Sequence, residues 1–303
     1  MAEQMRVDEF LSSLLAICHP LEPLDLPLLD AHGATLAEDV YSGERLVLRA
    51  NSRIRSTQIG LAASIGLDHL PTRPHPRVVI LSAGPDLVEP GQSLKAEEEY
   101  ETNSWLLTTA VREVGAIGYR VHSIPDDEEE LLGVIEDQLV RADLIVISGE
   151  RNDDSFDLIT RTLQKMGEIT TVDLAIENSG RHNFGQIGPD KTPVVTLPGD
   201  PISAYISFEL FVRPMIRTML GVATIHRPSV KAKIEKSITS APGTRSYIRA
   251  ILSEDASSVR ALEIQDEIST LSDANSFIAL SEKDETIEAG ASVNVVVLER
   301  RYI

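Results

Sequence analysis

Between residues 77 and 221, short apolar runs alternate with amphipathic stretches, and that alternation leaves the chain few architectures to choose from. The runs at 77–81 (RVVIL) and 144–147 (LIVI) are apolar at nearly every position, as strands covered on both faces are. Further strands are predicted at 119–124, 169–176 and 194–197. Between them the spacing predicts helices at 103–114, 127–140 (opened by Pro125 and Asp126) and 156–166, and a long helix capped by Asp200 that reaches Leu220. Strand and helix in regular alternation imply a parallel sheet with helices on both faces. The expected fold class is therefore α/β, a three-layer parallel-sheet domain over 77–222.

The flanks read differently. Val7, Phe10, Leu11, Leu14, Leu15 and Ile17 recur at helical spacing, and Pro20 ends that helix. Pro71, Pro74 and Pro76 mark a boundary, so residues 1–76 form an N-terminal helical and extended region. After Gly221, short strands at 230–238, 247–252, 259–264, 277–280 and 293–298, joined by Gly, Pro and Asp turns, predict a small all-β domain over 223–303.

Charge and cysteine usage narrow the function. A net charge of −19 argues against nucleic acid, whose phosphates need a basic surface, and against an anionic membrane face. No apolar stretch approaches the ~20 residues of a membrane helix. Cys18 is the single cysteine, cannot form an internal disulfide, and lies at helical spacing beside Leu14, Leu15 and Ile17, as a buried thiol would. The acidic start MAEQMRVDEF lacks the features of a signal peptide, and the expected location is the cytoplasm.

In an open parallel sheet, ligands bind beyond the C-terminal ends of the strands. Five loops fall there: 82–90, 125–127, 148–157, 177–181 and 198–201. They and the start of the following helix bring Asp86, Glu101, Glu150, Asp153, Asp154, Asp157, Glu177 and Asp200 against only Arg151, Arg181 and Asn103. No glycine-rich phosphate loop is present. Two like charges ~4 Å apart at a surface dielectric repel by ~4 kcal/mol, so this edge is expected to oppose an anionic ligand. The carboxylates either hold a hard divalent cation or form a solvated acidic run. No HExxH, clustered Cys/His or GxSxG pattern points to zinc or to a nucleophile, and Ser155 and Ser203 have no base partner visible in sequence.

Several motifs carry a resemblance. LPGDPISA at 197–204, followed by FELFVRPMIRTMLG at 208–221, is similar to the LPGNPVSA signature and following helix of the molybdopterin molybdenumtransferase family, which includes the gephyrin E domain. VEPGQSL (88–94), IPDDEEEL (124–131) and ADLIVISG (142–149) match that family in order and spacing, as do the N-terminal helix and the β-rich C-terminus. The departures fall at the expected site. The family's SGGVSVGDYD appears as SGERNDDSFD (148–157), KPGKP as ENSGR (177–181), STGDE as SAGPD, and DxN as Glu101-Thr102-Asn103. A lobe carrying SAMDGY, normally inserted after Val40, is missing.

The resemblance implies an enzyme that binds a phosphate-bearing pterin and molybdate and splits an adenylate with a metal, all of which need positive charge or open backbone N–H groups. With the lysines and glycines lost, the expectation is a crevice without catalytic residues, metal or cofactor: a vestige built from Gly84, Asp86, Asn103, Gly149, Asp157, Gly199, Asp200 and Ser203. The gephyrin comparison implied instead a homodimeric scaffold whose groove, lined by Phe10, Tyr247 and Phe277, takes a short peptide. The expected partner was the C-terminal tail of the tubulin-like GTPase FtsZ, with a membrane receptor as a second. The alternatives were a working molybdenumtransferase and a regulator that binds metal or nucleotide through the acidic loops.

Overall fold

A strand order that doubles back on itself places the site. The computed structural model describes residues 3–84, 87–96, 98–124, 127–149, 153–263 and 267–299. The central seven-stranded sheet runs Glu3–Met5, Gly167–Leu174, Arg181–Ile187, Thr192–Leu197, Leu144–Ser148, Arg77–Ala83, Ile117–Ile124. The last four are mutually parallel. Arg181–Ile187 runs antiparallel to both neighbours, so the sheet is mixed and not wholly parallel as expected. That strand escaped the sequence reading because it buries His182 and Asn183 and carries Gly185, so it shows no apolar run. It fits because glycines face it: a Cβ on Gly185 would lie 1.9 Å from the Glu168 carbonyl oxygen.

Both faces of each parallel strand are buried, and alternate residues enter different cores. Val78, Ile80, Leu144 and Val146 face a core built with the helices Val7–Ala16, Asn103–Val114 and Arg213–Met219. Val79, Leu81, Ile145 and Ile147 face the other, against Glu128–Leu139 and Asp153–Met166. Asp200 caps its helix as the sequence predicted, whereas Asp127 caps the other helix in place of the expected opening at Pro125 and Asp126, which lie outside the described residues. Asp127 accepts from the backbone N–H of Glu129 and Glu130, and Asp200 from that of Ser203. The helix from Pro201 passes through a π-helical turn at Phe208–Val212 before reaching Met219. Within that turn Glu209 is buried between Arg213 (2.7 Å) and Arg227 (2.8 Å), and Arg227 also donates to the Leu298 carbonyl.

The C-terminal strands close into a five-stranded barrel in the order Ser229–Ile234, Ser258–Ala261, Ser246–Leu252, Ser276–Leu280, Ser292–Val297. Small inward residues such as Ala232 and Ala250 fit its narrow interior. A short helix, Glu267–Asp273, was not expected from sequence. At the N-terminal end, Leu24–Pro27 and Thr35–Leu36 pair with His69–Arg73, so Pro71 lies within a strand and not in a linker. Where the resemblance implies an inserted lobe, Val40–Ser42 and Arg45–Leu48 form a hairpin turned by Gly43 (φ 61°) and Glu44. Cys18 is buried, which pushes its thiol up to about 12. No helix among the described residues is long and apolar enough to cross a membrane.

Candidate functional site

The strands Arg77–Ala83 and Leu144–Ser148 are neighbours, yet the helices that follow them pack on opposite faces of the sheet. Their C-terminal ends therefore form a switch point, where the chain leaves a crevice. Asn103, in the first turn of its helix, is the node there. Its amide donates to Ser148 Oγ at 2.7 Å and to the Gly199 carbonyl at 2.6 Å, joining its helix to two of the loops singled out from sequence. The Gly199 carbonyl can only accept, which fixes the amide's orientation. Asn103 Oδ1 is then buried with no partner, an acceptor that a ligand N–H or a water would satisfy. Gly84 and Gly149 are buried and follow directly on the two strands.

The carboxylates do not form the unopposed ring that their positions in sequence suggested. Glu101 is buried and accepts from the backbone N–H and hydroxyl of Ser104, with Arg120 at 3.5 Å. Arg120 also grips Glu89 (Nη1 to Oε1, 2.6 Å) and lies 4.3 Å above the Trp105 ring. Asp157 pairs with Arg181 at 3.1 Å, and Arg181 stacks over Phe156. Asp200 is spent as a helix cap. Glu177 accepts from the Ser246 hydroxyl at 2.6 Å. Four of the eight expected carboxylates thus have assigned structural partners, and the repulsion expected from them is correspondingly smaller. Asp86 and Glu150, with Arg151, lie outside the described residues. Among the described residues, no group of three His, Cys, Asp or Glu could hold a metal ion.

A second part of the site was read in sequence only as separate pieces: the loop 177–181, Ser203 and Tyr247. A cavity opens between the turn after Gly167–Leu174, the start of the Pro201 helix and the barrel, lined by Glu177, Ser179, Ser203, Tyr247 and Arg249 among others. Behind it His182 is wholly buried, 2.8 Å from Ser179 Oγ and 2.8 Å from the Thr196 carbonyl, and burial depresses its pKa to about 4. The signal was a serine three residues before a histidine, readable only once a turn was known to lie between them.

The expected peptide groove is not there. Phe10 is fully buried, with its ring edge-to-face against Phe211 (4.8 Å), Phe184 (5.2 Å) and His182 (5.6 Å). Phe277 is buried too, beside Tyr205. Between the N-terminal helix and the barrel, Arg245 binds Asp8 through both terminal nitrogens (2.9 and 2.6 Å) and Glu282 at 3.0 Å, closing the gap with an ion-pair cluster. Tyr247 is half-buried and faces the cavity; burial pushes its phenol up, although Arg245 opposes this. An aromatic at helical spacing reports burial, and the core supplied it.

The comparisons with known proteins fall on these same units. Residues 79–218 match the family described as "Probable molybdopterin binding domain", and residues 231–298 match the "MoeA C-terminal region (domain IV)". The chain thus carries a region similar to a molybdopterin-binding domain and a region similar to the MoeA C-terminal domain. Molybdopterin molybdenumtransferase 1 of Mycobacterium tuberculosis is 32% identical over 270 residues, covering 86% of this chain and 63% of the relative. Molybdopterin molybdenumtransferase 2 of the same organism is 32% identical over 266 residues, covering 85% and 65%. The chain therefore spans a little under two thirds of the length of these MoeA-family relatives. Crystal structures of a Pyrococcus horikoshii MoeA protein superpose with TM-scores of 0.84 and 0.80 at 19% and 17% identity, the first covering 98% of this chain and all of that one. They establish the MoeA-like fold, with a molybdopterin-binding domain and a small C-terminal β domain. These findings overturn the expectation of an FtsZ-binding scaffold: the relatives are named for molybdenum transfer, and the groove that was to hold the tail is closed.

Proposed function

We propose that this chain is a molybdopterin molybdenumtransferase of molybdenum cofactor biosynthesis, with the pterin phosphate bound in the crevice at the strand ends. The supporting observation is the Asn103 node. A buried side chain ties together the loops at the switch point and keeps one acceptor oxygen unspent, which is how a site preformed for a ligand N–H is built. The pairing of Glu101, Glu89 and Asp157 with Arg120 and Arg181 lessens the repulsion that an anionic substrate would meet. The residues then have separable tasks: Asn103 orients the ligand, Gly149 and Gly199 let backbone approach it, and Arg181 offsets Asp157.

Calorimetry with molybdopterin and with its adenylate tests this reading. Binding in the micromolar range, weakened at least tenfold in Asn103→Ala, is the expected result. No heat with either ligand, together with failure of the gene to restore molybdoenzyme activity in a bacterium lacking its own transferase, overturns it.

A further inference from the structure

One stretch of surface carries the opposite sign to the molecule. The net charge is −19, yet residues 45–55 hold Arg45, Arg49, Arg53 and Arg55 and no acid, and all four arginines are exposed. Strand register brings others to them. Thr35 lies directly opposite Arg53 on one side and Arg73 on the other. Residues opposed in this way share a face, so the two arginines rise on either side of Thr35, their stems about 10 Å apart across two strand spacings. Arg73 in turn lies over Gly221, where a Cβ would fall 2.4 Å from its Nε. Arg217, in the helix that ends just before Gly221, completes the group. Burial first, then repulsion from Arg213, Arg53 and Arg227, lowers its pKa, which makes Arg53 a near neighbour.

These guanidiniums are held but not neutralised. Arg73 Nη1 donates to the Leu21 carbonyl at 2.7 Å, and Arg217 Nε donates to the Thr224 carbonyl. A carbonyl orients a guanidinium and leaves its charge whole. Arg73 Nε is buried without a partner. Glu209, the carboxylate paired with Arg213 and Arg227, has both oxygens spent on them. Among the described residues, Arg53, Arg73 and Arg217 form no ion pair, so three like charges stand together with a repulsion that an anion would relieve.

We propose that this surface docks an acidic segment of a partner protein, a loop or tail that carries several carboxylates in succession. Guanidinium forks match carboxylates in shape and charge. In an extended segment, residues three apart are about 10 Å apart, the spacing of the Arg53 and Arg73 stems. Extent argues against other polyanions. A nucleic-acid strand or a bilayer continues more than a Debye length, ~8 Å, past the patch and meets the acidic remainder of the surface; a short segment ends within the patch. Arg73 precedes the strand Arg77–Ala83, whereas the crevice lies beyond that strand's other end, so a docked segment leaves the crevice open.

Fluorescence anisotropy of labelled hexaglutamate, titrated with the full chain at low salt, tests the assignment. Saturable binding is expected, at least tenfold weaker to Arg53→Glu. Arg260→Glu makes the same charge change on an exposed arginine of the barrel and should stay within about twofold of wild type. Arg49→Glu, also exposed, should weaken binding too and serves as the test if Arg53→Glu fails to fold. Absence of saturable binding, or equal weakening by Arg53→Glu and Arg260→Glu, overturns the proposal. So does a single-stranded oligonucleotide or a phosphatidylserine vesicle that binds more tightly than the peptide and is lost in Arg53→Glu, which would assign the surface to nucleic acid or to a membrane.

Discussion

Replacing Phe10 by alanine separates a core residue from a groove residue. In the structure the ring is fully buried among Phe184, Phe211 and His182. Its helix, Val7–Ala16, is ten residues long, and one that short is marginal in water by itself. Its stability thus depends on the face carrying Val7, Phe10 and Leu14. Truncating a buried phenylalanine costs ~3–5 kcal/mol, and the three ring contacts place this site in the upper part of that range. Set against a total of about 5–15 kcal/mol for a folded domain, the loss is large. Urea unfolding can be followed through Trp105, the sole tryptophan, which lies on a helix lining the same core. Phe10→Leu, which keeps most of the volume, should cost less than ~1.5 kcal/mol. A loss below ~1 kcal/mol in Phe10→Ala would mean that the ring is not held as described, and would reopen the groove.

Burial alone would push the Glu209 carboxyl up, but Arg227 and Arg213 more than reverse this and hold it below its ordinary range. Glu209→Gln strands both guanidiniums, so a loss of ~3–5 kcal/mol is expected, with hydrogen exchange rising in the barrel strand Ser292–Val297, reached through Arg227 and Leu298. Unchanged exchange there would refute the link between helix and barrel. His182 supplies a pH dependence. Its folded pKa of about 4 lies below the ordinary 6.5, so between those values the unfolded chain binds a proton that the folded chain does not. Stability should therefore be full above pH 6.5 and fall on acidification toward pH 4, by up to about 3 kcal/mol. A stability flat from pH 7 to 5 by denaturant titration contradicts this. Gly185→Ala, with its new Cβ against the Glu168 carbonyl, should cost ~1–3 kcal/mol or more through forced strand separation; a neutral result by thermal unfolding would show that the two strands lie further apart.

Local patterns decided whatever depends on one element at a time. The runs RVVIL and LIVI read as doubly covered strands, and Asp200 sits where a helix start needs a side-chain acceptor. Hence the αβ order of the central domain, the strand-rich C-terminus and the loops that meet at the crevice were legible before any coordinates. The direction of Arg181–Ile187 was not, because its buried residues are polar and take their partners from other segments: Thr196 for His182, and Thr160 and Thr171 for Asn183. The destination of Phe10 was not legible either, since helical spacing says that a face is buried without saying against what. Charge was misjudged for the same reason. Sequence counts carboxylates along a line, whereas Arg120 reaches Glu89 and Glu101 from a strand 31 and 19 residues away, and Arg181 reaches Asp157 across 24. Coulomb energy depends on distance in space, so only the folded chain could show which acids are paired.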